Sequence, residues 1–146
     1  MTLLSFEKGA AAGDVEAVHA MRVSTRRLRV GLSNFAVCFS KDFRRSLKRD
    51  LNGLADTLGR VRDLDVMVEA LNKLQPEQPV SRRATIVRMR ARLRTRRTFH
   101  AKRLSEYLLG EEYSNLKQLL SSIPAAIEAE VETNGQTIQS QKDNAA

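Results

Sequence analysis

The chain has 146 residues, with 25 Lys and Arg, 17 Asp and Glu, and a formal net charge of +8. This length suits one compact domain, and a single cysteine excludes an internal disulfide, so we expect a reducing, cytoplasmic setting. No apolar run approaches the roughly 20 residues of a membrane-spanning helix, and no basic region precedes an apolar stretch at the N-terminus, so neither a span nor a secretion signal is predicted.

Residues 1–13 are weakly patterned, and we predict a flexible N-terminal segment there. Asp14 is a good N-cap for a first helix, whose apolar periodicity runs to Phe39. Ser40 or Asp42 could cap a second helix. No strand pattern competes with these helical periodicities.

The second helix continues to about residue 74, with Gly59 as a candidate kink. Residues 75–81 hold two of the three prolines and form the clearest loop. Ser81 is a candidate cap for a third helix that runs to about Leu109, and Gly110 is its expected stop.

A fourth helix is predicted to begin near Tyr113, with Pro124 bending or restarting it. Four helices with short connections predict an all-α fold, an antiparallel four-helix bundle over residues 14–132. The polar residues 133–146 are predicted to form a disordered tail.

The positive charge is concentrated in the middle of the sequence. Residues 19–103 contain 22 Lys and Arg but only 7 Asp and Glu, and all 18 arginines lie there. Because a guanidinium matches phosphate oxygens in fork geometry, this distribution predicts a polyanionic partner. A set of ordinary solvated helix faces is the alternative.

The run HAMRVSTRRLR (residues 19–29) is the most informative stretch. At 100° per residue, four of its basic side chains share a sector of about 80° beside the apolar face, whereas Arg27 points elsewhere. No acid occurs between residues 19 and 41, and like charges four residues apart cost a few tenths of a kcal/mol each. The row rises roughly 15 Å at about 1.5 Å per residue, so it predicts contact with an extended polyanion. The side chains that share this sector are His19, Arg22, Arg26 and Arg29.

Two interpretations of His19 stay open, as a hydrogen-bond donor to an anion and as a structural histidine. A metal site is not predicted, because His100 is the only other histidine, Cys38 is the only thiol, and none has ligand spacing with the others. No cofactor is predicted either.

This run, followed by LGRVRDLDVMVEAL (residues 58–71), closely resembles the CHAD family, the conserved histidine α-helical domains. The resemblance is firm over about residues 14–73 and looser through residue 123. It implies a helical domain that binds inorganic polyphosphate through a basic surface. Because members of the family associate with polyphosphate granules, it also implies that location.

The resemblance implies a set of polyphosphate-binding residues from three helices. Asp63 and Asp65 match the family's acids, and because carboxylates repel phosphate we expect them to position arginines or to cap helices. The implied ligands are His19, Arg22, Arg26, Arg27 and Arg29 from the first motif, Arg62 from the second, and Arg96, Arg97 and Arg103, with Lys102 nearby, from the third helix.

Two arginine stripes flank the apolar stripe of the third helix. The sequence does not choose between them, and at least one is expected to be merely solvated. The first comprises Arg83, Arg90, Arg94 and Arg97, and the second Arg88, Arg92, Arg96 and Arg103.

The chain departs from the family pattern in two respects. Glu111 and Glu112 precede Tyr113 where the family tends to have a basic residue, so only Lys117 is carried over there, weakly. The family usually contains two helical units that face each other across a basic channel, whereas this chain has one. We therefore expect a homodimer that rebuilds the channel with two-fold symmetry.

Three functions follow from these observations. The leading hypothesis is a non-enzymatic polyphosphate-binding module. Nucleic-acid binding is the first alternative, although base stacking needs more aromatic residues among the basic ones than this sequence has. A metal-dependent polyphosphate or triphosphate hydrolase is the second, and Asp63 with Asp65 would be its only candidate carboxylates.

Overall fold

The computed structural model describes the backbone of residues 3–143 and the side chains of residues 3–133. The described backbone contains helices and turns without any strand, which confirms the predicted all-α class. Short 3-10 turns precede α1, follow α2 and follow α3. The helices are α1 (Glu7–Ala11), α2 (Val15–Asn34), α3 (Lys41–Leu74), α4 (Val80–Leu109), α5 (Glu111–Ser121) and α6 (Ile123–Asp143).

The longest helix, α3, is the central element, because α2, α4 and α5 all pack against it. Its contacts with α4 run in opposite sequence directions: Arg97 bonds Asp65, whereas the earlier Arg90 bonds the later Asn72. These pairings make α3 and α4 antiparallel. The described chain has six α-helices where four were predicted, so the all-α class is confirmed and the four-helix bundle stays a prediction.

The core is aliphatic and is built on one stripe of α3, as the apolar periodicity predicted. Side chains from α2, α4 and α5 close over this stripe. Each fully buried leucine contributes roughly 1.5–3 kcal/mol relative to its exposed state. The side chains with no exposed surface include Val18, Met21, Leu51, Leu54, Leu58, Val61, Leu104, Tyr113 and Leu116.

Side-chain caps mark the starts of two helices, α2 and α3. The Asp14 Oδ1 accepts a hydrogen bond from the Ala17 N–H at 2.7 Å, and the Ser40 hydroxyl accepts one from Phe43. Asp14 is therefore confirmed as a cap, and of the two candidates Ser40 and Asp42 it is Ser40 that caps α3. The predicted Ser81 cap is wrong, because Pro79 is the N-cap residue of α4 and Ser81 already lies inside the helix.

The first helix is shorter than predicted, and the second has no kink. Helix α2 ends at Asn34, and a 3-10 turn over Ala36–Cys38 separates it from Phe39. Helix α3 runs uninterrupted through Gly59. The candidate kink is therefore wrong, and Gly59 serves a packing purpose described below.

Both termini of the described chain are more helical than predicted. The segment predicted to be flexible is helical over Leu3–Ala11, and Leu3 and Ala10 are buried against the core. At the other end, α6 carries the backbone helix through the predicted tail as far as Asp143. Residues 1, 2 and 144–146 lie outside the described residues. Leu3 and Ala10 are buried by residues far away in the sequence, so the weak local pattern of this segment could not predict their burial.

Candidate anion-binding site

The basic row of α2 forms one wall of a concavity that is closed by α3. Helical spacing predicted that the four side chains would lie together, and the structure brings them around a space of about 240 Å³. No acidic residue lines this space. It is lined by His19, Arg22, Val23, Arg26 and Arg29 of α2 and by Ala55 of α3.

Gly59 allows Arg22 to lie directly against α3. A Cβ atom added at Gly59 would come within 2.8 Å of the Arg22 Nη1, closer than any ordinary contact. The guanidinium also lies 4.0 Å from the Asp63 Oδ1. Because both of these side chains remain substantially exposed, this ion pair orients Arg22 more than it stabilises the fold.

A second concavity continues the first along the same two helices and adds two cations that the sequence analysis missed. Arg26 and Arg29 line both spaces, and Arg44 and Lys48 of α3 complete the second, which measures about 750 Å³. The Arg44 Nη1 donates a hydrogen bond to the Ala36 carbonyl at 3.3 Å, which fixes one side of this guanidinium. We call the two joined concavities the α2–α3 trough.

The signal for these missed residues was present in the sequence. Arg44, Lys48, Ala55 and Gly59 recur at spacings that place them on one face of α3. The same face continues to Arg62, but Arg62 lines neither concavity of the trough, and its role as a ligand stays a prediction. The pKa of Glu69 is lowered by Lys73 first and by Arg62 to a smaller extent.

Arg27 does not join the trough. It lines the rim of an apolar groove of about 470 Å³ on another side of α2, as its helical angle predicted. Phe35 also lines this groove and is 62% exposed. The other residues around it include Leu28, Leu32, Phe39, Leu47, Leu51, Leu120, Ile123 and Ile127.

Arg97, predicted as a ligand, has a structural position instead. Its Nε donates to the Asp65 Oδ1 at 2.5 Å, and its Nη2 donates to the Gly13 carbonyl at 2.7 Å. The side chains of Arg97 and Asp65 are only 20% and 6% exposed. Arg97 therefore fastens the N-terminal segment to α3 and α4, and Asp65 holds an arginine as expected. We remove Arg97 from the ligand set because its Nε and Nη2 are engaged within the fold and its side chain is only 20% exposed.

The other two predicted ligands of α4 lie apart from the trough. Arg103 lines a smaller cleft between α3 and α4 together with the carboxylates Asp56 and Glu106. Its Cζ lies 6.0 Å from the centre of the exposed Phe99 ring. Arg96 is exposed, and it forms no ion pair with any residue that the structure describes.

The structure distinguishes the two arginine stripes of α4. Three members of the first stripe bond neighbouring elements: Arg83 reaches the Gln78 and Pro76 carbonyls, Arg90 reaches Asn72 and Gln75, and Arg97 is described above. The second stripe is exposed throughout. The two stripes therefore differ in their partners more than in their exposure, because Arg83 and Arg94 of the first stripe are also exposed. In the first stripe, Arg83 and Arg90 hold the connection between α3 and α4.

Glu111 and Glu112 lie in the first turn of α5, where carboxylates suit the positive end of the helix dipole, and the residues that follow them bind α1. The Tyr113 hydroxyl donates to the Glu7 Oε2 at 3.3 Å, and the Lys117 Nζ donates to the Glu7 Oε1 at 3.2 Å. Burial, reinforced by Glu7, raises the pKa of Tyr113 well above its usual range. Lys117 thus ties α5 to α1 and lies outside the trough.

Neither a metal cluster nor a membrane span is found in the described part of the chain. No three His, Cys, Asp or Glu side chains among its residues lie close enough together to hold a cation. Within residues 3–143, no helix has the length and hydropathy needed to cross a bilayer.

Comparison with known proteins gives one match. The family model of the CHAD domain matches residues 2–143, which is nearly the whole chain. No curated protein matches the chain. No solved structure matches it either.

Proposed function

Because the chain belongs to the CHAD family, which is associated in general with polyphosphate binding, we propose that it is a non-catalytic inorganic polyphosphate-binding module. The observation that carries the proposal is the α2–α3 trough. His19, Arg22, Arg26 and Arg29 converge there on one face of α3, and no acidic residue lines the trough. A location at polyphosphate granules is part of the same proposal.

The physical mechanism is ionic and directional. Each guanidinium donates charge-assisted hydrogen bonds to phosphoryl oxygens, worth about 1.5–3 kcal/mol where the partner is charged. Counterions released from the polyanion add a term that falls with salt concentration. The row on α2 follows the helix axis over roughly 15 Å, so it suits a linear chain of phosphates better than a compact anion.

The test is the double substitution Arg22→Ala with Arg26→Ala, measured by calorimetric titration with long-chain polyphosphate. We expect the affinity to fall by about a hundredfold or more, because two charged hydrogen-bonding groups are lost. The matched control is Arg88→Ala with Arg92→Ala, which removes the same charge at the same spacing from the exposed stripe of α4. Circular dichroism checks that the helical content is unchanged. Equal losses in the two double variants would refute the assignment of the trough.

Competition and turnover assays separate the other two functions from this one. If single-stranded RNA or DNA displaces polyphosphate as readily as free polyphosphate does, nucleic-acid binding replaces the proposal. The exposed Phe99 beside Arg103 is the one aromatic–arginine contact found among the described residues. If phosphate is released from polyphosphate in the presence of Mg²⁺ or Mn²⁺, the non-catalytic assignment is wrong.

We also propose that two copies associate with two-fold symmetry, so that their troughs face each other. The trough is lined by α2 and α3 and is otherwise open to solvent, and a second copy would supply cations to the exposed side of a bound polyanion. Light scattering coupled to size-exclusion chromatography tests this. A monomer at micromolar concentration, both with and without polyphosphate, would refute the dimer.

A further inference from the structure

The two ends of the α2–α3 trough differ in their charge balance. Near one end the Arg22 guanidinium is partly balanced by Asp63, at 4.0 Å. At the other end Arg26, Arg29, Arg44 and Lys48 surround one concavity, and none of the four forms an ion pair with a residue that the structure describes. The electrostatic repulsion is therefore least compensated at this second end.

We propose that this end is a distinct subsite that holds a short, highly charged phosphate chain of two or three phosphoryl groups. The inference rests on the proposed function and deepens it, because it names where a polyphosphate chain is held most tightly. A longer chain would then run from the subsite toward His19.

Geometry supports a preformed subsite. The hydrogen bond from Arg44 to the Ala36 carbonyl fixes one side of its guanidinium, so less side-chain entropy is lost when the remaining N–H groups bind an anion. Arg26 and Arg29 come from α2, whereas Arg44 and Lys48 come from α3, so donors approach the space from two helices. Two opposed walls of cations can contact several phosphoryl groups at once.

The length of the trough limits what a short ligand can reach. From His19 to Ser33 helix α2 rises roughly 21 Å at about 1.5 Å per residue. A triphosphate is shorter than two helical turns, about 11 Å. It therefore cannot contact both ends, and the charge balance places it at the Arg44–Lys48 end.

The experiment compares tripolyphosphate with long-chain polyphosphate by calorimetric titration of three single variants. Lys48→Ala should weaken tripolyphosphate binding by about tenfold, because one charged contact is lost. Arg22→Ala should leave tripolyphosphate affinity unchanged but weaken the long chain. Arg45→Ala is the matched control on α3: this exposed arginine is paired with Asp42, and neither ligand should be affected.

Three results would overturn the subsite. The first is a wild-type protein that binds the long chain but not tripolyphosphate. The second is a Lys48→Ala variant whose tripolyphosphate affinity is unchanged, and the third is equal tripolyphosphate losses for Lys48→Ala and Arg22→Ala. In each of these cases long-chain binding would survive, so only the subsite would fall. Failure of the proposed function is distinguished by a wild-type protein that does not bind the long chain at all.

Discussion

Replacing Gly59 by alanine should raise stability and weaken anion binding at the same time. The added Cβ would meet the Arg22 Nη1 at 2.8 Å, so the guanidinium must leave its position against α3. The atom it meets is the far end of a flexible side chain, whereas no other side chain lies within 4 Å. The helix itself therefore needs little adjustment.

The magnitudes decide the sign of the stability change. Alanine is favoured over glycine in a helix interior by about 0.5–1 kcal/mol. Against this stands the loss of the ion pair between Arg22 and Asp63, which lies near the lower end of the range of about 0–1 kcal/mol because its atoms are 4.0 Å apart and both side chains are exposed. We expect a gain of up to about 1 kcal/mol, which corresponds to about 3 °C or slightly more in Tm for a domain of this size. Binding should fall by about tenfold, because one charged contact with phosphate is misplaced.

Differential scanning calorimetry and polyphosphate titration measure the two effects. The matched control is Gly31→Ala in α2, where an added Cβ meets nothing within 4 Å. It should gain stability similarly and bind as the wild type does. If Gly59→Ala were less stable than the wild type, or bound polyphosphate with undiminished affinity, the close packing of Arg22 would not have the role given to it here.

Two further predictions concern the fold. Arg97→Ala should destabilise the protein by roughly 3–5 kcal/mol in urea denaturation, because the buried Asp65 carboxylate loses its partner. Arg96→Ala, on the exposed stripe, is the control and should have little effect. Similar losses of stability for both variants would contradict the structural role of Arg97. Burial, with a smaller contribution from nearby carboxylates, raises the pKa of Tyr107 to about 12 and that of Tyr113 further. The folded protein therefore binds the two phenolic protons more tightly than the unfolded chain does. Their contribution to the free energy of unfolding is complete below about pH 10 and is lost as the pH rises through about 12. Phenolate absorbance followed during an alkaline titration should show a delayed ionisation that coincides with unfolding, and free ionisation near pH 10 in the folded protein would contradict the burial.

Local chemistry was sufficient for the parts of the fold that depend on near neighbours. Asp14 and Ser40 cap the helices at which their side chains were expected, and Gly110 ends α4. The angle between Arg27 and the row on α2 also followed from helical geometry alone. In all these cases the interacting groups lie within a few residues of one another.

What could not be predicted depends on distant partners. The engagement of Arg97 requires both Asp65 and the Gly13 carbonyl, 84 residues away along the chain. The sequence shows an arginine in a basic stripe, and only the packed structure shows that its Nε and Nη2 bind partners within the fold. Gly59 is a similar case, since its packing against Arg22 joins two helices and no local pattern distinguishes a kink from a close approach.

The uneven burial along α3 and α4 has a consequence for how the molecule opens. Between Asp65 and Leu104 the only buried apolar side chain is Ile86, and several large apolar side chains there, such as Met67 and Met89, are about half exposed. We call the stretches between Asp65 and Arg97 on either side of the α3–α4 connection the outer parts of the two helices. These outer parts can therefore separate from each other while the rest of α3 and α4 stays folded. In native-state hydrogen exchange the outer amides should accordingly lose protection at a lower free energy than those around Leu54 and Leu58. Each of these two continuous helices would thus be divided between two cooperative unfolding units.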